Sequence, residues 1–217
     1  MPLSKRQRRE LESRLSEWQQ PKTMRRAVNK VDTETLLVQP GNAFLRDAWV
    51  GAGFAEAVRA EAVRLVSGQW PDFEVKSSTG IKQFEVVEAD DPDRRRGAEY
   101  KKGQPRLQHD PVENWAKRAE AAPGWLRLAC EKKLTKRYGS KTNLVIYLPA
   151  VGEYGTQYDK VISSFAASTS SAKDQFKSVW VFWKACAYCV WSDGKANADY
   201  WKPYAPSPKW LLKESNA

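Results

Sequence analysis

The chain has little of several residue types on which common kinds of site depend. It contains one His and three Cys among 217 residues. Three cysteines are too few, and odd in number, for a disulfide framework, and a single His excludes catalysis by a pair of histidines. The sequence also lacks the P-loop, the G-x-G-x-x-G motif and the G-x-S-x-G motif. The most common nucleotide-binding and hydrolase signatures are therefore excluded.

Long hydrophobic runs are missing as well. No segment approaches the roughly 18 to 20 consecutive apolar residues that a membrane span requires. The N-terminus is basic but lacks the apolar core of a signal peptide. We therefore expect a cytoplasmic protein with no membrane partner. Cys186 and Cys189 form a C-x-x-C pair inside an aromatic run, and we expect them to be buried and inert, because neither a zinc site nor a redox site has this setting.

Positive charge is present in excess. The formal net charge is +10, and residues 1–30 hold nine Lys or Arg against three Asp or Glu. Such a balance favours a polyanionic partner, nucleic acid above all. A helix is predicted over residues 4–20, with Ser4 as its cap. This helix could be a basic arm on nucleic acid, a helix packed on the domain, a mobile extension or simply a solvated charged helix. The candidate nucleic-acid contacts are Lys5, Arg6, Arg8 and Arg9.

Two alternating runs in residues 70–90 predict a β-hairpin around a turn at residues 77–80. Period-2 alternation places Phe73 and Val75 on one face and Asp72 on the other. If the turn centres near Thr79, Asp72 lies opposite residues 85–87. Directly opposed side chains are only about 5 Å apart. Asp72 and Glu85 could therefore share one cation.

The same hairpin resembles a known nuclease signature. Pro71-Asp72 followed, after twelve residues, by Glu85-Val86-Val87 resembles the core motif of the PD-(D/E)XK nuclease superfamily. In that family the Asp after the Pro and a carboxylate on the next strand bind a divalent metal. The resemblance covers residues 54–149. It implies a restriction-endonuclease-like core in which Asp72 and Glu85 hold Mg²⁺ or Mn²⁺.

The sequence departs from the family pattern at the lysine that usually lies two residues after the second carboxylate. Val87 stands in that place. Another cation would have to act as the electrostatic partner of the reaction. The candidates are Lys82, Lys101 and Lys102.

A helix is predicted over residues 54–66, and Glu61 falls within its apolar stripe. A carboxylate that faces a core is costly unless it is paired or binds metal. Glu61 therefore predicts a salt bridge to a neighbouring Arg, a stripe edge that reaches solvent, or a third metal ligand. The resemblance favours the last, since a Glu on this helix often completes the family's metal site. Glu88 is a further candidate ligand. Only residues 67–69 separate this helix from the Pro-Asp strand, although the family usually has a strand there.

A loop rich in both charges follows the hairpin. Its basic side chains could hold a phosphate backbone, or they could form a solvated charged run. They are Arg94, Arg95, Arg96, Lys101 and Lys102.

The order of elements predicts an α/β or α+β fold with a mixed sheet flanked by helices. We expect a basic arm and linker over residues 1–42, one core domain over 43–199 and a tail with Pro and Trp over 200–217. Besides the hairpin, strands are predicted over 143–148, 179–183 and 187–191. Other helices are predicted over 42–50, 110–121, 123–139 and 156–168.

The leading functional prediction is a metal-dependent nuclease that hydrolyses phosphodiester bonds in DNA. Asp72, Glu85, Glu61 and Lys101 would be its catalytic residues. The alternative is a non-catalytic nucleic-acid-binding or protein-interaction module on a nuclease-like scaffold. The sequence leaves room for a homodimer.

Overall fold

The computed structural model describes residues 3–68, 70–92, 112–136, 138, 141–149 and 156–206. Its helices are α1 (Lys5–Leu15), α2 (Pro21–Val28), α3 (Thr33–Val38), α4 (Ala43–Ala57), α5 (Val112–Leu134) and α6 (Thr156–Thr169). Its strands are β1 (Ala62–Leu65), β2 (Phe73–Ser77), β3 (Gly80–Glu88), β4 (Thr142–Leu148), β5 (Ser178–Trp183), β6 (Cys186–Ser192) and β7 (Lys195–Ala196).

The strands form one mixed sheet in the order β1-β2-β3-β4-β5-β6-β7. The pairs β1–β2 and β2–β3 are antiparallel, and β4–β5 is parallel. The antiparallel β5–β6 pair turns through Lys184 and Ala185, which both have positive φ. Two such residues give the turn twist that suits a tight hairpin. The predicted α/β class with a mixed sheet and flanking helices is confirmed.

The described residues divide into two compact units, one built from residues up to Phe84 and the other from the described residues after Phe84. Helices α1 and α2 belong to the first unit, where they contribute the fully buried side chains Leu15, Met24 and Val28. Helices α1 and α2 are therefore packed into that unit.

Three aromatic rings join α4 to the hairpin in the first unit. Phe73 stacks on Phe84 with ring centroids 5.1 Å apart, and Phe54 of α4 lies 4.9 Å from Phe84. The pairing of Phe73 with Phe84 and of Ser77 with Gly80 sets the register. The predicted hairpin is confirmed, with Ser78 and Thr79 as its two-residue turn.

The predicted helices over 42–50 and 54–66 are wrong, because α4 is one helix that ends at Ala57 and a strand follows it. Gly51 does not break α4. A Cβ at Gly51 would lie 3.0 Å from the Phe73 ring, so the glycine allows close packing against β2. Arg59, at φ 56°, turns the chain out of the helix. The next residues then pair with β2 as strand β1.

The second unit contains α5 as a single helix, whereas two helices separated at Pro123 were predicted. Buried side chains continue along one side across the proline, from Ala122 to Leu126 and on to Cys130. This continuous packing offsets the hydrogen bond that Pro123 removes. Strand β4 is buried along its length, as its uninterrupted apolar sequence predicted. The predictions for α6, β5 and β6 are also confirmed.

None of the helices in the described part of the chain combines the length and hydropathy that crossing a bilayer requires.

Candidate active site

Asp72 lies at the entrance to the hairpin in the first unit. Its N–H donates to the Phe84 carbonyl at 3.0 Å, and its own carbonyl accepts from the Val66 N–H at 3.2 Å. The backbone of Asp72 is therefore held between the ends of two strands. By alternation, its side chain shares a strand face with Glu74.

The Asp72 side chain lines a cleft of about 180 Å³. Two other carboxylates, Glu12 of α1 and Asp47 of α4, line the same cleft, together with the hydroxyl groups of Ser16 and Ser67. Asp47 is largely buried and accepts from the Arg46 guanidinium at 3.3 Å. The helix that precedes the hairpin, α4, thus does place a carboxylate, that of Asp47, in the cleft of Asp72.

Glu61 does not take this position. It is exposed and lies just before β1, where its N–H donates to the Lys76 carbonyl at 2.9 Å. Because it lies outside α4, the reason for predicting it as a ligand no longer holds. Glu88 lies three residues after Glu85 on β3, so alternation directs their side chains to opposite faces.

Glu85 forms a buried ion pair in the second unit. Its Oε2 accepts from the Lys133 ammonium of α5 at 2.6 Å. The exposed fractions of the two side chains are 3% for Glu85 and 14% for Lys133. Tyr138 borders the ammonium, with its ring centroid 5.8 Å from Lys133 Nζ. The Glu85 carboxylate of the predicted signature therefore has a cation beside it. That cation, Lys133, lies 48 residues further along the chain, on α5.

Val87 belongs to the apolar core between β3 and α5, where Ala122 and Leu126 are also buried. It shares its strand face with Glu85, because the two are separated by one residue. Lys133 thus reaches Glu85 over the face on which the family's lysine would lie. Lys82 is exposed and pairs with Val75 at the turn end of the hairpin.

A second carboxylate of the hairpin, Glu74, is held differently. Its Oε2 accepts from Nε and Nη2 of Arg64 at 2.9 and 2.8 Å, and its Oε1 accepts from Gln83 at 3.1 Å. The Arg64 guanidinium also lies 4.6 Å from the ring centroid of Trp18. Both oxygens of Glu74 thus have donors from neighbouring strands, which is the arrangement of a structural carboxylate.

The predicted basic contacts of the N-terminal helix lie on α1. Lys5, Arg6 and Arg9 are exposed, and Arg6 pairs with Glu10 at 2.7 Å. Arg8 is half-buried beside Gly41, where an added Cβ would lie 2.5 Å from its guanidinium. Ser4 caps α1 as predicted, and it forms a capping box with Gln7. The remaining predicted contacts lie outside the described residues, and they are Arg94, Arg95, Arg96, Lys101 and Lys102.

Cys130, Cys186 and Cys189 are buried thiols, as predicted for Cys186 and Cys189. Burial raises the pKa of the Cys130 thiol to about 12. A thiol with so high a pKa is almost never a thiolate at neutral pH. Nucleophilic chemistry at Cys130 is therefore not expected.

The donor set of the Asp72 cleft fits a hard divalent cation. Its polar side chains offer carboxylate and hydroxyl oxygens, which suit Mg²⁺ or Mn²⁺. Across the described ranges, no three His, Cys, Asp or Glu side chains form a group that could enclose a metal ion. Mg²⁺ commonly binds through only one or two carboxylates and keeps several waters. A pair such as Asp47 and Asp72 meets that requirement.

Sequence reasoning missed both Asp47 and Lys133. A single helix predicted over residues 43–57 would have indicated Asp47 as a candidate. Gly51 and Gly53 were interpreted as breaks, so no such helix was predicted. Lys133 lies among basic residues at the end of α5, where the helix dipole already accounts for them. Comparison with protein-family models, with curated proteins and with solved structures gave no match.

Proposed function

We propose that this chain is a metal-dependent nuclease that hydrolyses phosphodiester bonds in DNA. Strand β1 supports the resemblance on which the proposal rests. A strand between the first helix and the Pro-Asp strand is usual in the PD-(D/E)XK family, and the sequence pattern predicted only residues 67–69 between them. In the structure, α4 is followed by β1, then by Asp72 and the hairpin.

The contact between Lys133 and Glu85 is the observation that carries the proposal. The missing lysine was the main departure from the family pattern. Lys133 brings an ammonium to 2.6 Å from the Glu85 carboxylate. We assign to Lys133 the electrostatic role that the family gives to the lysine at position 87. There it would stabilise negative charge that develops on the phosphate.

Asp72 would bind the metal ion together with Asp47, which lines the same cleft and takes the role that was predicted for Glu61. Glu85 keeps the role of second carboxylate that the resemblance gives it, beside Lys133. A divalent ion, when bound, lowers the pKa of a water and neutralises charge on the phosphate. The protein's own contribution would be to orient these carboxylates and to supply the Lys133 cation. A cytoplasmic location and DNA as the partner belong to the same proposal.

The test measures cleavage of single-stranded, duplex and branched DNA and of RNA with Mg²⁺ or Mn²⁺. Asp72→Asn and Glu85→Gln should abolish cleavage, and Asp47→Asn should weaken it strongly. Lys133→Met should lower the rate by about 100- to 1,000-fold, since one preorganised electrostatic group is commonly worth that much. Glu61→Gln is the matched control and should cleave like the unchanged protein.

Rescue separates a functional role of Lys133 from a structural one. Val87→Lys in the Lys133→Met protein places an ammonium on the same strand face and should restore part of the activity. Thermal melts show whether each variant is folded. If Lys133→Met is folded and cleaves at the normal rate, the assignment of Lys133 is wrong. If the unchanged protein cleaves no substrate, the enzyme proposal is wrong.

The alternative function is nucleic-acid binding without catalysis. The ion pair between Glu85 and Lys133 favours it, because a carboxylate neutralised by an ammonium attracts a metal ion less strongly. This alternative predicts salt-sensitive binding of DNA with no cleavage and no change in binding when Mn²⁺ is added. Titration calorimetry with Mn²⁺ alone distinguishes the two, since only a nuclease requires the ion to bind.

A further inference from the structure

A groove in the first unit is lined by more basic than acidic residues. It has a volume of about 410 Å³ and lies among the end of α1, the connection that follows it, and α2. Arg14, Arg26 and Lys30 line it, and all three are exposed. Within the described part of the chain none of these three cations forms an ion pair. Glu17 is the one acidic residue of the lining, so the net charge there is positive.

Trp18 also lines the groove, and its ring is held in place from within the unit. The Arg64 guanidinium lies 4.6 Å from the ring centroid, and Glu74 fixes that guanidinium. Trp18 is therefore an oriented aromatic surface beside three cations. Sites for single-stranded nucleic acid combine these two features, because cations follow the backbone while bases stack on aromatic rings.

We infer that this groove binds a single-stranded segment of nucleic acid, with its phosphates on Arg14, Arg26 and Lys30 and a base against Trp18. Arginine guanidinium groups suit phosphate because they can donate two parallel hydrogen bonds. The volume lies within the range of about 300 to 1,000 Å³ that is usual for ligand pockets. Bases in a duplex are paired and stacked inside, so only an unpaired strand can offer one to Trp18. The inference rests on the proposed function and deepens it, because it implies that the substrate contains a single-stranded segment.

The experiment measures fluorescence anisotropy of a labelled oligothymidylate of about 15 nucleotides. EDTA is present, so that no cleavage occurs. Replacing Arg14 and Arg26 together by Gln should lower the slope of log affinity against log salt by about 1.4, since each single-strand phosphate contact contributes about 0.7. Replacing Lys22 and Lys76 together by Gln is the matched control. It removes two exposed cations of the same unit that lie outside the groove, and it should leave the slope nearly unchanged.

The aromatic contact has its own readout. Trp18→Ala should weaken binding by about 5- to 100-fold, the range for loss of one stacked base. Trp18→Phe retains an aromatic ring, so it should recover much of that affinity and show that the effect is not a folding defect. The inference is overturned if the groove variants lose no more affinity than the control. It is equally overturned if duplex and single strand are bound with the same affinity and weakened by the same factor.

Failure of this inference and failure of the proposed function give different results. Asp72→Asn should bind the oligothymidylate normally while losing cleavage. If the groove variants behave as predicted but no substrate is cleaved, the groove assignment stands and the nuclease proposal falls. If cleavage depends on Asp72 and Glu85 but the groove variants bind and cleave normally, the groove assignment alone is wrong.

Discussion

Glu74 and Glu85 are carboxylates of one hairpin, and their surroundings differ in kind. Glu74 lies in the first unit and receives donors on both oxygens, from an arginine and a glutamine on adjacent strands. Glu85 lies in the second unit and meets a lysine from a distant helix. The arginine fork is rigid and directional, whereas a lysine ammonium is a compact charge on a flexible stem. Glu74 is therefore held in a fixed geometry, whereas Glu85 is paired with a more flexible side chain.

The largest effect on stability is expected from Lys133→Met. Removing this lysine leaves Glu85 as a buried charge without its cation, which costs about 3 to 5 kcal/mol. Adding Glu85→Gln should recover most of that loss. Lys132→Met, which removes the exposed neighbour, should change stability by less than about 0.5 kcal/mol. Urea unfolding of the four proteins measures the difference. Equal effects at positions 132 and 133 would contradict the buried ion pair.

A smaller effect is expected from Arg64→Met. Arg64 is more than one third exposed, so solvent screens its pairing with Glu74, and Gln83 remains as a donor. We expect a loss of about 1 kcal/mol, to which the lost stacking on Trp18 contributes. The loss should shrink at high salt, because exposed pairs are screened. Urea unfolding at two salt concentrations measures this, with Lys76→Met as the control on the same hairpin. A loss of stability as large as that of Lys133→Met would contradict the difference between Glu74 and Glu85.

The smallest effect is expected at a third carboxylate, Asp32, which is fully exposed and caps α3. Hydrogen bonds from the backbone N–H and the hydroxyl of Thr35 lower the pKa of Asp32 from 3.8 to about 2. A lowered pKa means that this contribution to stability is complete above pH 3.8 and is lost as the pH falls through about 2. The stability difference between the unchanged protein and Asp32→Asn should therefore vanish over that interval. Thr35→Val should keep part of it, because the backbone donor remains. Unfolding midpoints across that pH range would measure both, and a constant difference would contradict the assignment.

The elements that the sequence predicted are those whose pattern is local. Alternation around residues 77–80 predicted the hairpin, and the apolar run before Pro149 predicted β4. The end of α4 and the start of β1 were not predicted, because their cause is not local. The segment from Glu61 to Val66 has residues that suit a helix, and it becomes a strand because β2 and Gln19 pair with it. Gly51, which suggested a break in α4, is instead where Phe73 comes close.

The same contrast between local and non-local causes applies to the residues of the candidate site. The resemblance predicted Asp72 and Glu85 from their spacing along the hairpin, which is a local feature of the chain. Asp47 and Lys133 come from helices, and only the packing of those helices brings their side chains to a carboxylate. Nothing in the spacing between Glu85 and Lys133 could indicate a contact over 48 residues.

The bridge between Gln19 and Val63 has a consequence for how this chain can be shortened. Strand β1 is the outermost strand on its side of the sheet. Gln19 and Val63 exchange two backbone hydrogen bonds, of 3.2 and 2.9 Å, which partly cover that strand. An uncovered outer strand is a template for pairing with other chains. A protein truncated before α2 would lose this cover together with the buried Leu15, and self-association through β1 is the expected result. The basic N-terminal segment is thus also part of the cover of an outer strand.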